Sequence, residues 1–143
     1  MKILIVNGPN LNRLGKRDKD QYGNQTLEDI QSELIEYFPE NKFTFFQSNV
    51  EGELVNMIQS AQDTFDALII NPGGYAHSSV AIRDAIEDLS IPKIEVHLSN
   101  LAKREDFRQS LVTASACDGY ISGFKGSGYT AAVYILEMNN YKS

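Results

Sequence analysis

The chain reads as an α/β protein built on a doubly wound, five-stranded parallel sheet. Two features predict this. Short runs rich in β-branched and aromatic residues, at 3–6, 42–47, 67–71, 94–100 and 119–122, alternate with stretches whose apolar residues recur at helical spacing. Polar residues and glycines also gather just beyond the ends of the first, third and fourth runs, where sheets of this class bind their ligands.

Ile3 to Val6 is a continuous apolar run, as expected of a strand covered on both faces, and Asn7-Gly8-Pro9-Asn10 stops it. From there to Gly23 the chain is polar and glycine-broken, with Arg13, Lys16, Arg17, Asp18, Lys19 and Asp20 close together; a loop this long inside a compact domain reads as a lid over a site. Thr26 followed by Asp29 resembles a capping box, and Leu27, Ile30 and Leu34 give a helix from about Leu27 to Phe38. Lys42 to Gln47 alternates as a second strand whose aromatics serve the core. Leu54, Met57, Ile58 and Ala61 mark a second amphipathic helix, and Ala67 to Asn71 a third strand. The turn Pro72 to Ser78 leads into a helix with Ser78 or Ser79 as N-cap and Ile82, Ala85, Ile86 and Leu89 on its apolar side. The fourth strand follows Pro92 and runs to Asn100. Arg104 to Leu111 reads as helical, Gly119 to Ser122 as a short fifth strand, and about Tyr129 to Asn140 as a final helix.

Right-handed crossovers and five strands favour the flavodoxin-like order 2-1-3-4-5, in which strands 1, 3 and 4 are neighbours and their carboxyl ends face one crevice. Residues 1–143 make one domain, long enough to bury a real core. The 42% hydrophobic and 22% charged content is that of a soluble globular protein, and no window holds the roughly 18 apolar residues a membrane span needs. One cysteine, Cys117, excludes an internal disulfide and a cysteine-built metal site, which fits the cytoplasm. A net charge of −6 argues against nucleic acid as a partner, so any bound anion needs local arginines such as Arg17 and Arg108.

Ile94 to Asn100 is the informative stretch. Strand alternation puts Glu95, His97 and Ser99 on one face, aimed at a site or at solvent. Taken alone, a wet edge strand is the commoner explanation. The chain has only two histidines, however, and the other, His77, also follows a strand end. No phosphate-cradling glycine motif, nucleophile elbow or third imidazole or thiolate is present, which ranks phosphate, acyl-transfer and metal chemistry low. What remains is acid–base work by His97, a tyrosine, and arginines that hold an anion. Tyr22 is the tyrosine, five residues after Arg17; a neighbouring guanidinium favours the phenolate, a usable base.

Asn7 to Gly15, Arg17, Tyr22-Gly23, Asn71 to Asp84, Glu95 to Asn100 and Arg104 to Arg108 closely resemble type II 3-dehydroquinate dehydratases, in order and at matching spacing over nearly the whole chain. The resemblance implies a flavodoxin-like fold, a dodecamer built from trimers, no cofactor or metal, and anti elimination of water from 3-dehydroquinate through an enolate, in the shikimate pathway or in quinate breakdown. It makes Tyr22 the base, with Arg17 favouring its phenolate. Asn10 would hold the enolate oxygen through water, and His97 would be the acid that protonates the departing hydroxyl, supported by Glu95. Asn71, His77, Leu98, Ser99 and Arg108 would grip the substrate, and Asp84 would act from or across a subunit contact. The lid departs from the family in reading Arg17-Asp18-Lys19 where Arg-Glu-Pro is common, and Gly74 stands where alanine is frequent. Two rival functions are a flavodoxin-like flavin carrier, disfavoured because Pro9 removes an amide donor from the first loop, and a non-catalytic binder of cyclic polyols, disfavoured because Arg17, Tyr22 and His97 are all present.

Overall fold

The computed structural model describes residues 1–139. Five parallel strands lie in the predicted order β2-β1-β3-β4-β5. Strand β1 (Lys2–Asn7) pairs with β2 (Lys42–Gln47) on one side and β3 (Ala67–Asn71) on the other, and β4 (Lys93–His97) and β5 (Gly119–Ser122) complete the sheet. β4 is therefore an interior strand, not a wet edge.

Alternation along the strands divides the apolar residues between two cores. Ile3, Ile5, Ile69, Ile94 and Val96 pack on one face beneath helices α2 (Leu27–Tyr37) and α5 (Ser127–Asn139). Leu4, Val6, Leu68 and Ile70 pack on the other beneath α3 (Glu51–Gln59) and α4 (Val80–Glu87). Each fully buried Ile or Leu contributes about 2 kcal/mol, so the sheet is held from both sides. The capping box of α2 forms as read. Thr26 N–H donates to Asp29 Oδ2 at 3.0 Å and Asp29 N–H donates to Thr26 Oγ1 at 3.1 Å, a cap worth about 1 kcal/mol. Ser79, the second of the two expected caps, accepts the Ile82 N–H at 2.9 Å.

Three stretches differ from expectation. The fourth strand stops at His97 rather than Asn100, because Asn100 Oδ1 accepts the Ala102 N–H at 3.1 Å and starts a 3-10 turn at Leu101–Lys103. Ser99 thus lies past the strand. Residues 104–111 are not a helix: only Asp106–Gln109 forms a 3-10 turn. The Gln109 side chain, donating from Nε2 to the carbonyls of Leu101 and Arg104 at 2.7 and 3.3 Å, takes acceptors a helix would give to backbone N–H groups, and Ser110 swings out to ψ 114°. The lid is less irregular than expected. It holds a 3-10 turn at Leu11–Arg13 and a single α-turn, α1 (Lys19–Tyr22), started by Asp18 Oδ1 accepting the Asp20 N–H at 3.0 Å. The final helix starts at Ser127, and the expected last residue, Asn140, lies outside the described residues. No helix among the described residues is long and apolar enough to cross a membrane.

Candidate active site

The ends of β1 and β3 are locked together by their glycines. Gly8 N–H donates to the Asn71 carbonyl at 2.7 Å, and a Cβ on Gly8 would stand 2.3 Å from the Pro72 oxygen. Gly73 has φ +62°, and a Cβ there would meet the Pro9 oxygen at 2.9 Å. Only glycine fits at either position. Asn10, at φ 70°, uses the tolerance of asparagine for left-handed backbone, and its N–H donates to Asn49 Oδ1 at 3.0 Å.

Beneath this junction Tyr129, fully buried on α5, reaches under the strand ends. Its hydroxyl donates to Asn7 Oδ1 and accepts from Asn71 Nδ2 at 3.2 Å, while Asn71 Oδ1 accepts the Gly73 N–H at 3.1 Å. Burial raises the Tyr129 pKa well above the ordinary phenol value, ahead of the opposing bond from Asn71; the phenol stays protonated and structural. Tyr129→Phe is expected to cost about 3 kcal/mol, because it leaves a buried acceptor on Asn7 and a donor on Asn71 unpaired. Chemical denaturation of the two proteins side by side measures this.

A pocket opens above the junction. Tyr22, Arg17, Asn10, Asn71, His77, His97, Leu98, Ser99 and Arg108 all line it, so nine of the residues singled out in the sequence meet there. On the lid side, Arg17 Nη2 donates to Tyr22 Oη at 3.0 Å, and its guanidinium carbon lies 3.9 Å from the centre of the tyrosine ring. A second guanidinium, that of Arg104, approaches the same ring at 5.6 Å. The phenol oxygen thus accepts from one guanidinium while a second lies over the ring.

The end of β4 supplies another part of the lining. His97 Nε2–H donates to Glu95 Oε2 at 2.6 Å, and Glu95, with no exposed surface, has its other oxygen taken by the Thr113 hydroxyl at 2.5 Å. No buried side-chain nitrogen or oxygen among the described residues lacks a partner, so Nδ1 of His97, which makes no hydrogen bond among those residues, is the ring atom open to the pocket. The His77 and His97 rings stack at 6.2 Å between centres. A carbonyl can only accept, so the 2.9 Å contact of His77 Nδ1 with the Ser110 oxygen puts the proton on Nδ1 and leaves Nε2 as an acceptor. Burial lowers the His77 pKa against the pull of the Ser110 carbonyl; His97 and Arg108 add to the lowering, and Glu95 opposes it. His77 is thus suited to accept a bond from a neutral hydroxyl.

Arg104 and Arg108 are drawn together by Glu105 Oε1, which accepts from Nε of each at 3.2 and 3.1 Å. Arg104 Nη1 also donates to Ser99 Oγ at 2.9 Å. Arg104, Pro9 and Gly73 line the pocket without having been assigned a role from sequence. For Arg104 the signal was there: it follows the end of β4 by a few residues, on the side where the crevice lies. Glu95 stands behind His97 rather than in the pocket lining, and Asp84 is not brought to it. Asp84 sits on α4 with its carboxylate 3.5 Å from Arg83 and 64% exposed. Two arginines on a phenol, with Arg108 and a carboxylate-backed imidazole lining the same pocket, can bind an anion and move protons to and from it.

A family model described as dehydroquinase class II matches residues 1–137. The 3-dehydroquinate dehydratase of Fusobacterium nucleatum is 51% identical, over 98% of this chain and 99% of its own length. The one from Thermotoga neapolitana is 47% identical, over 100% and 99%. Among solved structures, the type II dehydroquinase of Butyrivibrio crossotus superposes with a TM-score of 0.92 at 45% identity, covering 96% of this chain and 97% of that one. The enzyme from Propionibacterium acnes gives 0.91 at 39%, covering 96% of each.

Proposed function

The chain belongs to the class II dehydroquinase family, and on that premise we propose a mechanism in which the lid and β4 each move one proton. The activity is that of a 3-dehydroquinate dehydratase, a hydro-lyase that converts 3-dehydroquinate to 3-dehydroshikimate and water. Tyr22, as phenolate, removes the proton α to the ketone. Arg17, donating to the phenol oxygen at 3.0 Å, stabilises the charge that oxygen carries before transfer. The electron pair moves onto the ketone oxygen as an enolate, which Asn10 holds with the help of a water. The enolate then collapses and expels the ring hydroxyl, which leaves as water with a proton from Nδ1 of His97.

Glu95 balances the imidazolium through the 2.6 Å bond at Nε2. Arg108 and the Leu98–Ser99 backbone receive the substrate carboxylate, while Asn71 and His77 take its hydroxyls. The observation that carries this reading is the meeting, in one pocket, of a tyrosine bonded to an arginine and a histidine backed by a buried carboxylate. Asp84, exposed on α4, is read as serving a neighbouring copy in a dodecamer of four trimers, which a native mass measurement tests.

The direct test adds 3-dehydroquinate to the purified protein and follows the absorbance of the conjugated enone. A steady rise is expected. Binding of the substrate without any rise would replace this reading with that of a cyclic-polyol binder.

A further inference from the structure

Glu95 is buried completely, on the face of β4 opposite to Ile94 and Val96. A carboxylate there needs more than one hydrogen-bond donor to stay charged. His97 supplies one and Thr113, itself without exposed surface, supplies the other at 2.5 Å. The other titratable groups around the pair are His77 across the ring stack, Arg17, Tyr22, Arg104 and Arg108 on the pocket wall, and Cys117 behind Glu95. Among the described residues, none of these six donates a hydrogen bond to the carboxylate.

Thr113 is held in turn from the His77 turn, its N–H donating to the Ala76 carbonyl at 3.2 Å, as does that of Val112 at 2.9 Å. The same connector presents the Ser110 carbonyl to His77. One short non-helical stretch, residues 110–113, therefore orients both imidazoles of the site. Had it continued as a helix, its carbonyls would be spent on backbone bonds.

We propose that Thr113 is a positioning residue for the elimination: its hydroxyl keeps Glu95 charged and in the one rotamer that lets His97 hold two protons and present Nδ1 to the departing hydroxyl. This rests on the acid–base reading of His97 given above. Without the hydroxyl, the proton on His97 Nε2 passes to Glu95, the pair becomes neutral, and the acid is lost although His97 is still present.

Thr113→Val keeps the shape and removes the donor, Thr113→Ala removes it without crowding, and Thr113→Ser restores it. Loss of one bond to a charged group corresponds to a fall in kcat of about 10- to 100-fold for the valine and alanine variants, with KM within about twofold and the serine variant near wild type. In carbon-13 spectra of glutamate-labelled protein, with Glu95→Gln for assignment, the Glu95 carboxyl resonance at the assay pH should move toward that of the protonated acid in the valine and alanine variants. A lower melting temperature with unchanged kcat, or with an unmoved carboxyl resonance, would reduce Thr113 to a packing residue. The spectra need no substrate. A wild type that binds 3-dehydroquinate without turning it over would therefore overturn the proposed function, while Thr113 is still decided by the carboxyl signal.

Discussion

Tyr22→Phe is expected to lower kcat by about three orders of magnitude, the scale of a lost general base, while leaving substrate affinity within a few-fold of wild type. The substitution is clean for a geometric reason. The guanidinium of Arg17 lies 3.9 Å above the centre of the tyrosine ring and that of Arg104 at 5.6 Å, and both stacking contacts survive when only the oxygen is removed. The lid segment keeps its packing, and what disappears is the 3.0 Å bond from Arg17 and the group proposed to take the proton. Enone absorbance and a separate binding titration check the two halves. A variant that keeps more than a tenth of the wild-type rate would move the base elsewhere in the pocket, and a variant that no longer binds would make Tyr22 a substrate-holding residue.

The sheet and the crevice were legible because they rest on periodicity. Strands β2, β3 and β5 fall on the residues the alternation marks, and once the order is fixed the ends of β1, β3 and β4 have to meet. That Tyr22, His97 and Arg17 belong together in one pocket was legible because few residue types are candidates for acid–base work and the chain has only two histidines. The failures share a physical cause. Residues 104–111 carry apolar and charged side chains at helical spacing, yet the deciding bonds come from outside the segment: the Gln109 amide turns back on the Leu101 carbonyl at 2.7 Å, and the Ser110 carbonyl goes to His77 at 2.9 Å. Arg104 was given no role because the stretch it opens reads as a helix, and only the fold shows its guanidinium over Tyr22. The need of a buried Glu95 for a second donor could be stated in advance. That the donor is Thr113, eighteen residues away, could not, since nothing in the local pattern links the two.

His97→Ala separates the two proton transfers. If Tyr22 forms the enolate and His97 only helps the hydroxyl to leave, the alanine variant should lose about 10²- to 10⁴-fold in elimination and still exchange the α-proton of 3-dehydroquinate with deuterated water; Tyr22→Phe should lose both. The variant also carries a stability cost that must be told apart from the chemistry. Removing the imidazole strands a carboxylate with no exposed surface, a loss of about 3–5 kcal/mol for a broken buried pair. Pairing His97→Ala with Glu95→Gln replaces the charge with an amide, and Thr113, whose hydroxyl both donates and accepts, can still bond it. The double variant should therefore recover stability in chemical denaturation without recovering enone formation. Recovery of turnover along with stability would mean that His97 neutralises Glu95 and does not deliver the proton. Loss of α-proton exchange in a stable double variant would place His97 before the enolate rather than after it.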